Sequence, residues 1–367
     1  MMKGLGQALA TRLQQEWWDG VGKSWPWLSI ALWPLSLIYR LISVLRGQLY
    51  RHHLYRTEAL PVPVIVVGNW IVGGAGKTPT TLALLSLLRS AGLKAGVVSR
   101  GYGRNSDVVT VLSKSSQVRE VGDEPLLIHL RTGAPVAVGR DRVAAARALL
   151  QAHPELQVLV SDDGLQHLRM PRALSIVVFD ERGIGNGRVL PSGPLRQAFR
   201  KHVAPTELVL YNAALPTTPL PGFTAKRGFG GAVSLDGWWQ GEAAQVATLQ
   251  LIRQAAAASA STRPGPQVWA AAGMAHPQRF FDMLSALGLA FTPLPLPDHF
   301  NFAELPWQMD AAHVLVTEKD AVKLDPRRCA QERPHTQVWV ITLDFCPEPA
   351  FDLAVRAQLC SLGLIAV

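Results

Sequence analysis

The sequence predicts an α/β fold: a mostly parallel sheet flanked by helices, with a second, smaller α/β domain and a membrane-associated helix at the N-terminus. Three observations carry this. Short β-branched runs alternate with apolar-periodic stretches between residues 62 and 211, the pattern of right-handed crossovers and parallel strands. A glycine-rich turn ending in Gly76-Lys77-Thr78 joins the first such strand to the first such helix. A new alternation begins at Val268, after a proline-rich break at Pro216–Pro221. The expected division is 1–58 as a membrane-associated segment, 59–220 as a nucleotide-binding domain and 221–367 as a C-terminal α/β domain closing the cleft.

The N-terminal segment reads as an interfacial element. Trp25 to Tyr39 (WPWLSIALWPLSLIY) is apolar and continues after Arg40 as Leu41, Ile42, Val44 and Leu45. At about fifteen residues it is shorter than the roughly 20 needed to span a bilayer. Trp17, Trp18, Trp25, Trp27 and Trp33 crowd the region, and Arg40, Arg46, Arg51, His52, His53 and Arg56 follow. Tryptophan rings at headgroup level and cations against anionic lipid describe a helix lying in, or dipping into, one leaflet. A helix packed on the protein's own core is the plainer alternative. A true span would have Arg40 snorkelling and Pro34 kinking the helix. No secretory leader is expected, because the apolar stretch starts late and no A-x-A-type cleavage site closes it.

Val62 to Val67 then reads as a buried strand, and Pro79 to Ser90 as a helix. Between them, Gly73, Gly74 and Gly76 let backbone N–H groups approach phosphate oxygens at a helix N-terminus. Lys77 would reach the β- and γ-phosphates and Thr78 would ligate Mg²⁺, so this half is P-loop NTPase-like. Ile71 stands where G-x-x-x-x-G-K-[ST] has glycine, which makes Ile71-Val72-Gly73-Gly74-Ala75-Gly76-Lys77-Thr78 a variant loop. Leu93 to Ser99 is a second strand ending in Arg100-Gly101-Tyr102-Gly103-Arg104, whose cations suit an anion. Val108 to Leu112 and Pro135 to Val138 are further strands. Asp123 and Glu124 open an apolar helix, where capping alone would explain acids. Val158 to Asp163 is an apolar strand ending in two acids, the arrangement in which a carboxylate holds Mg²⁺ downstream of a P-loop. Gln166 and His167 follow. After the Ile176–Phe179 strand, residues 180–196 form a glycine- and proline-rich loop carrying Arg182, Arg188 and Arg196.

Glu207 to Tyr211 closes this half. Residues 242–266 are a helix end or a variable linker. Val268 to Gly273, Val314 to Thr317 and Val338 to Leu343 are strands of the second unit. The helices Gln278 to Leu287 and Phe351 to Leu362 accompany them, and His299 sits in a loop. Cys329, Cys346 and Cys360 lack metal-ligand spacing and suit a reducing cytosol. The net charge of +9 implies an acidic partner. Nucleic acid is not expected, since the cations gather at the N-terminus and the phosphate loops and no nucleic-acid-binding motif is present.

The stretches VPVIVVGNWIVGGAGKTP, VVSRGYGR, VGDEPLL, SDDGLQH, GPLR, AAGMAHPQRFF, PDHF and VTEKDAVKL together resemble, in order, the tetraacyldisaccharide 4′-kinase family, the lipid A 4′-kinases of Gram-negative bacteria. Leu165, where the family often has phenylalanine, and Met274-Ala275-His276 depart from its pattern. The resemblance implies ATP-dependent phosphorylation of the 4′-hydroxyl of a tetraacylated glucosamine disaccharide 1-phosphate. It also implies a place on the cytoplasmic face of the inner membrane, and a monomer is expected. It makes Asp123 the base for the sugar hydroxyl, with His299 as its partner across the domain cleft. Thr78, Asp162 and Glu124 would hold Mg²⁺, and Lys77 with Arg196 would offset charge on the transferred group. Asp163, Gln166 and His167 would serve the nucleotide or metal. The alternatives are a P-loop ATPase or GTPase of the assembly or metal-insertion type, whose loops commonly carry a lysine where Ile71-Val72 stand, and a membrane-bound nucleotide sensor.

Overall fold

The computed structural model describes residues 2–18, 26–113, 115–262 and 268–366; Trp25 lies outside them. The chain forms two compact units, each assembled from separate segments: residues 1–99, 141–226 and 346–367 in the first, and 100–140 and 227–345 in the second.

The first unit is built on a parallel sheet of β1 (Val64–Gly68), β2 (Ala95–Ser99), β5 (Val158–Asp162), β6 (Leu174–Asp180) and β7 (Glu207–Asn212). Their order is β7-β6-β1-β5-β2. Every residue of β1, β5 and β6 is buried, as expected for strands covered by helices on both faces, and this explains their unbroken apolar runs. The β1/β5 register sets Val67 beside Asp162, so the glycine loop and the acidic strand end emerge side by side.

Three helices precede the sheet: α1 (Met2–Trp18), α2 (Trp27–Ala31) and α3 (Trp33–Arg51). Pro34 occupies the first turn of α3 rather than a kink, a position where its missing N–H leaves no hydrogen bond unmade. No helix among the described residues is long and apolar enough to cross a membrane. The amphipathicity of α3 is inverted. Ser36 is buried, and Leu32, Tyr39, Ser43, Gly47 and Tyr50 are partly covered along the same stripe, whereas Trp33, Leu35, Ile38, Leu41, Ile42 and Leu45 are each more than half exposed.

In the second unit β9 (Val268–Ala272), β10 (Thr292–Pro295), β11 (His313–Thr317) and β12 (Gln337–Pro347) run parallel in the order β10-β9-β11-β12. β3 (Thr110–Val111) and β4 (Val136–Val138) pair antiparallel. Sequence patterning misses two strands. β8 (Phe223–Ser234), which the chain follows from the first unit into the second, reads TAKRGFGG over much of its length and offers no apolar run. β10 carries two prolines in four residues, tolerated because it pairs only with β9 at the end of its row. The stretch left open as helix end or linker is helical through Val246–Thr262.

Candidate active site

In the first unit, helix α4 (Lys77–Ser90) begins directly after Gly76, so Lys77 and Thr78 occupy its first turn. The loop before it needs a left-handed backbone at Gly73 (φ +88°), where a Cβ would stand 3.5 Å from the Arg182 guanidinium. Asp163 lies just beyond β5, also left-handed at φ +50°, a region sparsely populated by residues other than glycine. The Lys77 ammonium is 3.8 Å from its carboxylate and Arg196 Nη1 is 3.0 Å away. Arg196 Nη1 also donates to Gln166 Oε1 at 3.2 Å, and Arg142 Nη2 donates to the Asp163 carbonyl at 2.7 Å. Burial pushes the Asp163 carboxyl up, but the charges of Lys77, Arg196 and Arg142 outweigh it and hold it below the usual carboxylate value. Asp163 is therefore a fixed anion that keeps two mobile cations in place.

Asp162, at the end of β5, is buried and accepts from Thr81 Oγ1 at 3.2 Å. Thr78 and Asp162 supply hydroxyl and carboxylate oxygens, the donors that suit Mg²⁺. No group of three or more His, Cys, Asp and Glu gathers among the described residues. His167 is neutral: burial pushes its imidazole down to about 4, aided by Arg142 and opposed by Asp141. Its buried Nε2 has no hydrogen-bond partner, nor does Asn69 Oδ1 below the glycine loop.

The second unit holds Asp123 and His299. Gly122 precedes the helix Asp123–Thr132 with φ +90°, and a Cβ there would stand 3.0 Å from the Tyr102 carbonyl. Asp123 is almost fully buried at the first position of that helix. One carboxylate oxygen accepts the Glu124 N–H at 2.9 Å, and the other lies 2.8 Å from His299 Nδ1. The Tyr102 ring lies 5.4 Å from the imidazole, centroid to centroid. His299, like Asp163, has a left-handed backbone (φ +58°). Lys319 lies 3.6 Å from Glu124 and 3.4 Å from Asp298, and Asp298 in turn is 3.8 Å from His299 Nε2. Burial pushes the Lys319 ammonium down, and Glu124, Asp123 and Asp298 reverse this, leaving it above its ordinary value. Glu124 thus faces a lysine in this structure.

Lys77, Asp163, Arg196 and Gln166 come together, Asp123 and His299 come together, and Asp162 adjoins the glycine loop through the strand register. Sequence reasoning assigned no role to Arg142, Thr81 or Lys319. The stretch carrying Lys319 was visible as VTEKDAVKL, but much of it is structural. Thr317 caps the short helix that follows β11, and Asp320 is buried, bonding Lys323 at 3.0 Å and the Gly273 N–H at 3.0 Å.

A family profile described as LpxK, tetraacyldisaccharide-1-P 4′-kinase, matches residues 28–360. The chain belongs to the LpxK family. Among its relatives, the tetraacyldisaccharide 4′-kinase of Leptothrix cholodnii is 50% identical over 98% of both chains. That of Methylibium petroleiphilum is 50% identical over 96% of this chain and 94% of its own. A crystal structure described as the apo form of LpxK from Aquifex aeolicus in complex with ATP shares the fold. Its TM-score is 0.70 at 24% identity, over 90% of this chain and 99% of that one. These matches give no support to the assembly-ATPase alternative.

Proposed function

We infer that this protein transfers the γ-phosphoryl group of ATP to the 4′-hydroxyl of a tetraacylated glucosamine disaccharide 1-phosphate, as expected of an LpxK-family kinase. The single observation that best supports this over nucleotide hydrolysis or sensing is the 2.8 Å contact between Asp123 and His299. A buried carboxylate held by an imidazole is suited to take the proton of an attacking hydroxyl, a group that a nucleotide sensor does not need.

The glycine loop Ile71–Gly76 cradles the phosphates as a P-loop, and Lys77 sits against the β- and γ-phosphates. Phosphoryl transfer is largely a matter of positioning and of stabilising charge on the equatorial oxygens. Lys77 and Arg196, gathered at Asp163, are the cations for that work. Mg²⁺ would be held by Thr78 and Asp162 and would supply charge neutralisation at the phosphates. Gln166 and His167 serve the nucleotide. Asp123 accepts the proton of the attacking hydroxyl, while His299 orients the carboxylate and shares that proton.

The outward apolar side chains of α3, rimmed by exposed Arg40, Arg46 and Arg51, support the reading that the protein lies peripherally on an anionic bilayer, at the cytoplasmic face of the inner membrane. Acyl chains of the substrate then remain in the leaflet. The protein acts as a monomer and does not bind nucleic acid. The test is transfer of label from γ-labelled ATP to the lipid disaccharide in mixed micelles. Labelled bisphosphorylated lipid is the expected product; label released only as free phosphate would overturn the reading.

A further inference from the structure

Residues 182–196 are held from two sides within the first unit. One side belongs to the N-terminal helices. Tyr39 Oη donates to the Arg196 carbonyl at 2.8 Å and Ser36 Oγ to the Val189 carbonyl at 3.0 Å. Ser36 Oγ accepts from the Ser192 N–H at 2.9 Å, and Trp17 Nε1 donates to the Pro191 carbonyl at 3.2 Å. The Arg182 guanidinium stacks 4.3 Å from the Trp18 ring. The other side is the nucleotide loop itself. Val72 N–H donates to the Pro194 carbonyl at 2.9 Å, Arg196 N–H to the Trp70 carbonyl at 2.7 Å, and Arg182 Nη2 to the Gly74 carbonyl at 3.1 Å.

Two arginines thus connect the same two regions by separate routes. Arg182 touches Trp18 on one side and Gly74 on the other. Arg196 is fixed at its carbonyl by Tyr39 and at its guanidinium by Asp163. The stripe of α3 that makes these contacts is the polar one, leaving the apolar side outward.

We propose that Tyr39 is a positioning residue that couples bilayer engagement by α3 to the nucleotide loop through Arg196, so that lipid and ATP tighten each other's binding. The inference rests on α3 facing lipid as read above, and not on the identity of the phosphate acceptor. Tyr39 touches no reacting atom; it fixes the backbone from which Arg196 reaches Asp163. Coupling of this kind is reciprocal: the factor by which vesicles change ATP affinity equals the factor by which ATP changes vesicle affinity.

The experiment titrates the full chain with a fluorescent ATP analogue and Mg²⁺, with and without vesicles of phosphatidylethanolamine and phosphatidylglycerol that contain no acceptor lipid. Wild type should bind the nucleotide about fivefold more tightly with vesicles. Tyr39→Phe, which removes one hydroxyl, should keep its vesicle affinity without nucleotide and its melting temperature, yet show less than a twofold vesicle effect. Trp18→Leu, on the Arg182 route, should reduce the effect independently. Equal nucleotide affinity of wild type with and without vesicles, or full coupling retained in Tyr39→Phe, would overturn the proposal. Because no acceptor is present, either result leaves the kinase reading to the transfer assay.

Discussion

Asp163 and Asp123 occupy comparable places, each beside a strand end or helix start of its own unit, yet they keep opposite company. Asp163 is ringed by cations, with Lys77 and Arg196 at one carboxylate oxygen and Arg142 at the main-chain carbonyl. Asp123 touches one backbone amide and one imidazole, and the nearby cation Lys319 is engaged by Glu124 and Asp298. A carboxylate held ionised by several cations is a poor proton acceptor and a good organiser of charge. A carboxylate whose one hydrogen-bonding side chain is an imidazole, itself able to give and take a proton, can hand a proton on. On the proposed reading, the two aspartates divide the reaction between charge and proton.

Asp123→Asn is the most severe way to break that division. It should lower kcat by about 10³- to 10⁴-fold while the ATP dissociation constant, read by fluorescent nucleotide titration, stays within twofold. Loss of ATP binding instead would place Asp123 with the charge-handling residues. Lys77→Ala should lower kcat by roughly 10²- to 10³-fold and weaken ATP binding as well, without changing the pH profile of the residual activity. Lys319→Met removes the cation that holds Asp298 and Glu124. We expect about a tenfold loss in kcat from a misplaced Asp123–His299 pair, with KM for ATP unchanged. An effect on KM alone would tie Lys319 to the nucleotide.

The smallest effect concerns stability. Folded, His167 takes up its proton near 4 rather than 6.5. Between those values the unfolded chain binds more protons than the folded one, so stability falls as pH drops through that window. His167→Gln should flatten the fall. Melting curves at pH 7 and pH 5 compare the two directly; equal losses would mean that other groups govern acid stability.

Much of the first unit was legible because its determinants are local. A buried parallel strand advertises itself as an apolar run, and glycine, lysine and threonine at fixed spacing define a loop whatever surrounds it. The pairing of Asp123 with His299 was not legible in that way. It joins positions 176 apart, and only resemblance to a family proposed it, since on local grounds Asp123 reads as a helix-start acid and His299 as a loop histidine. Arg142 escaped for the same reason: its partner is a main-chain carbonyl 21 residues away. The apolar stretch of α3 was legible in the sequence, but which side of it faces the protein was not. Ser36 and Tyr39 look like ordinary polar positions until the loop that accepts their hydrogen bonds is in place.

The first unit also constrains the order in which the molecule can be made. It includes residues 346–367, whose helix Pro349–Ser361 packs Phe351 edge-on against Phe223 and bonds Ser90 and Pro205 through Arg356 and Gln358. A ribosome that has already released the glycine loop and β7 must still synthesise more than a hundred residues before this helix emerges from its tunnel. The ATP-binding half cannot be finished first and the rest added later. Until that helix emerges the nascent chain carries an apolar seat at Phe223 uncovered, and chaperone dependence would concentrate there.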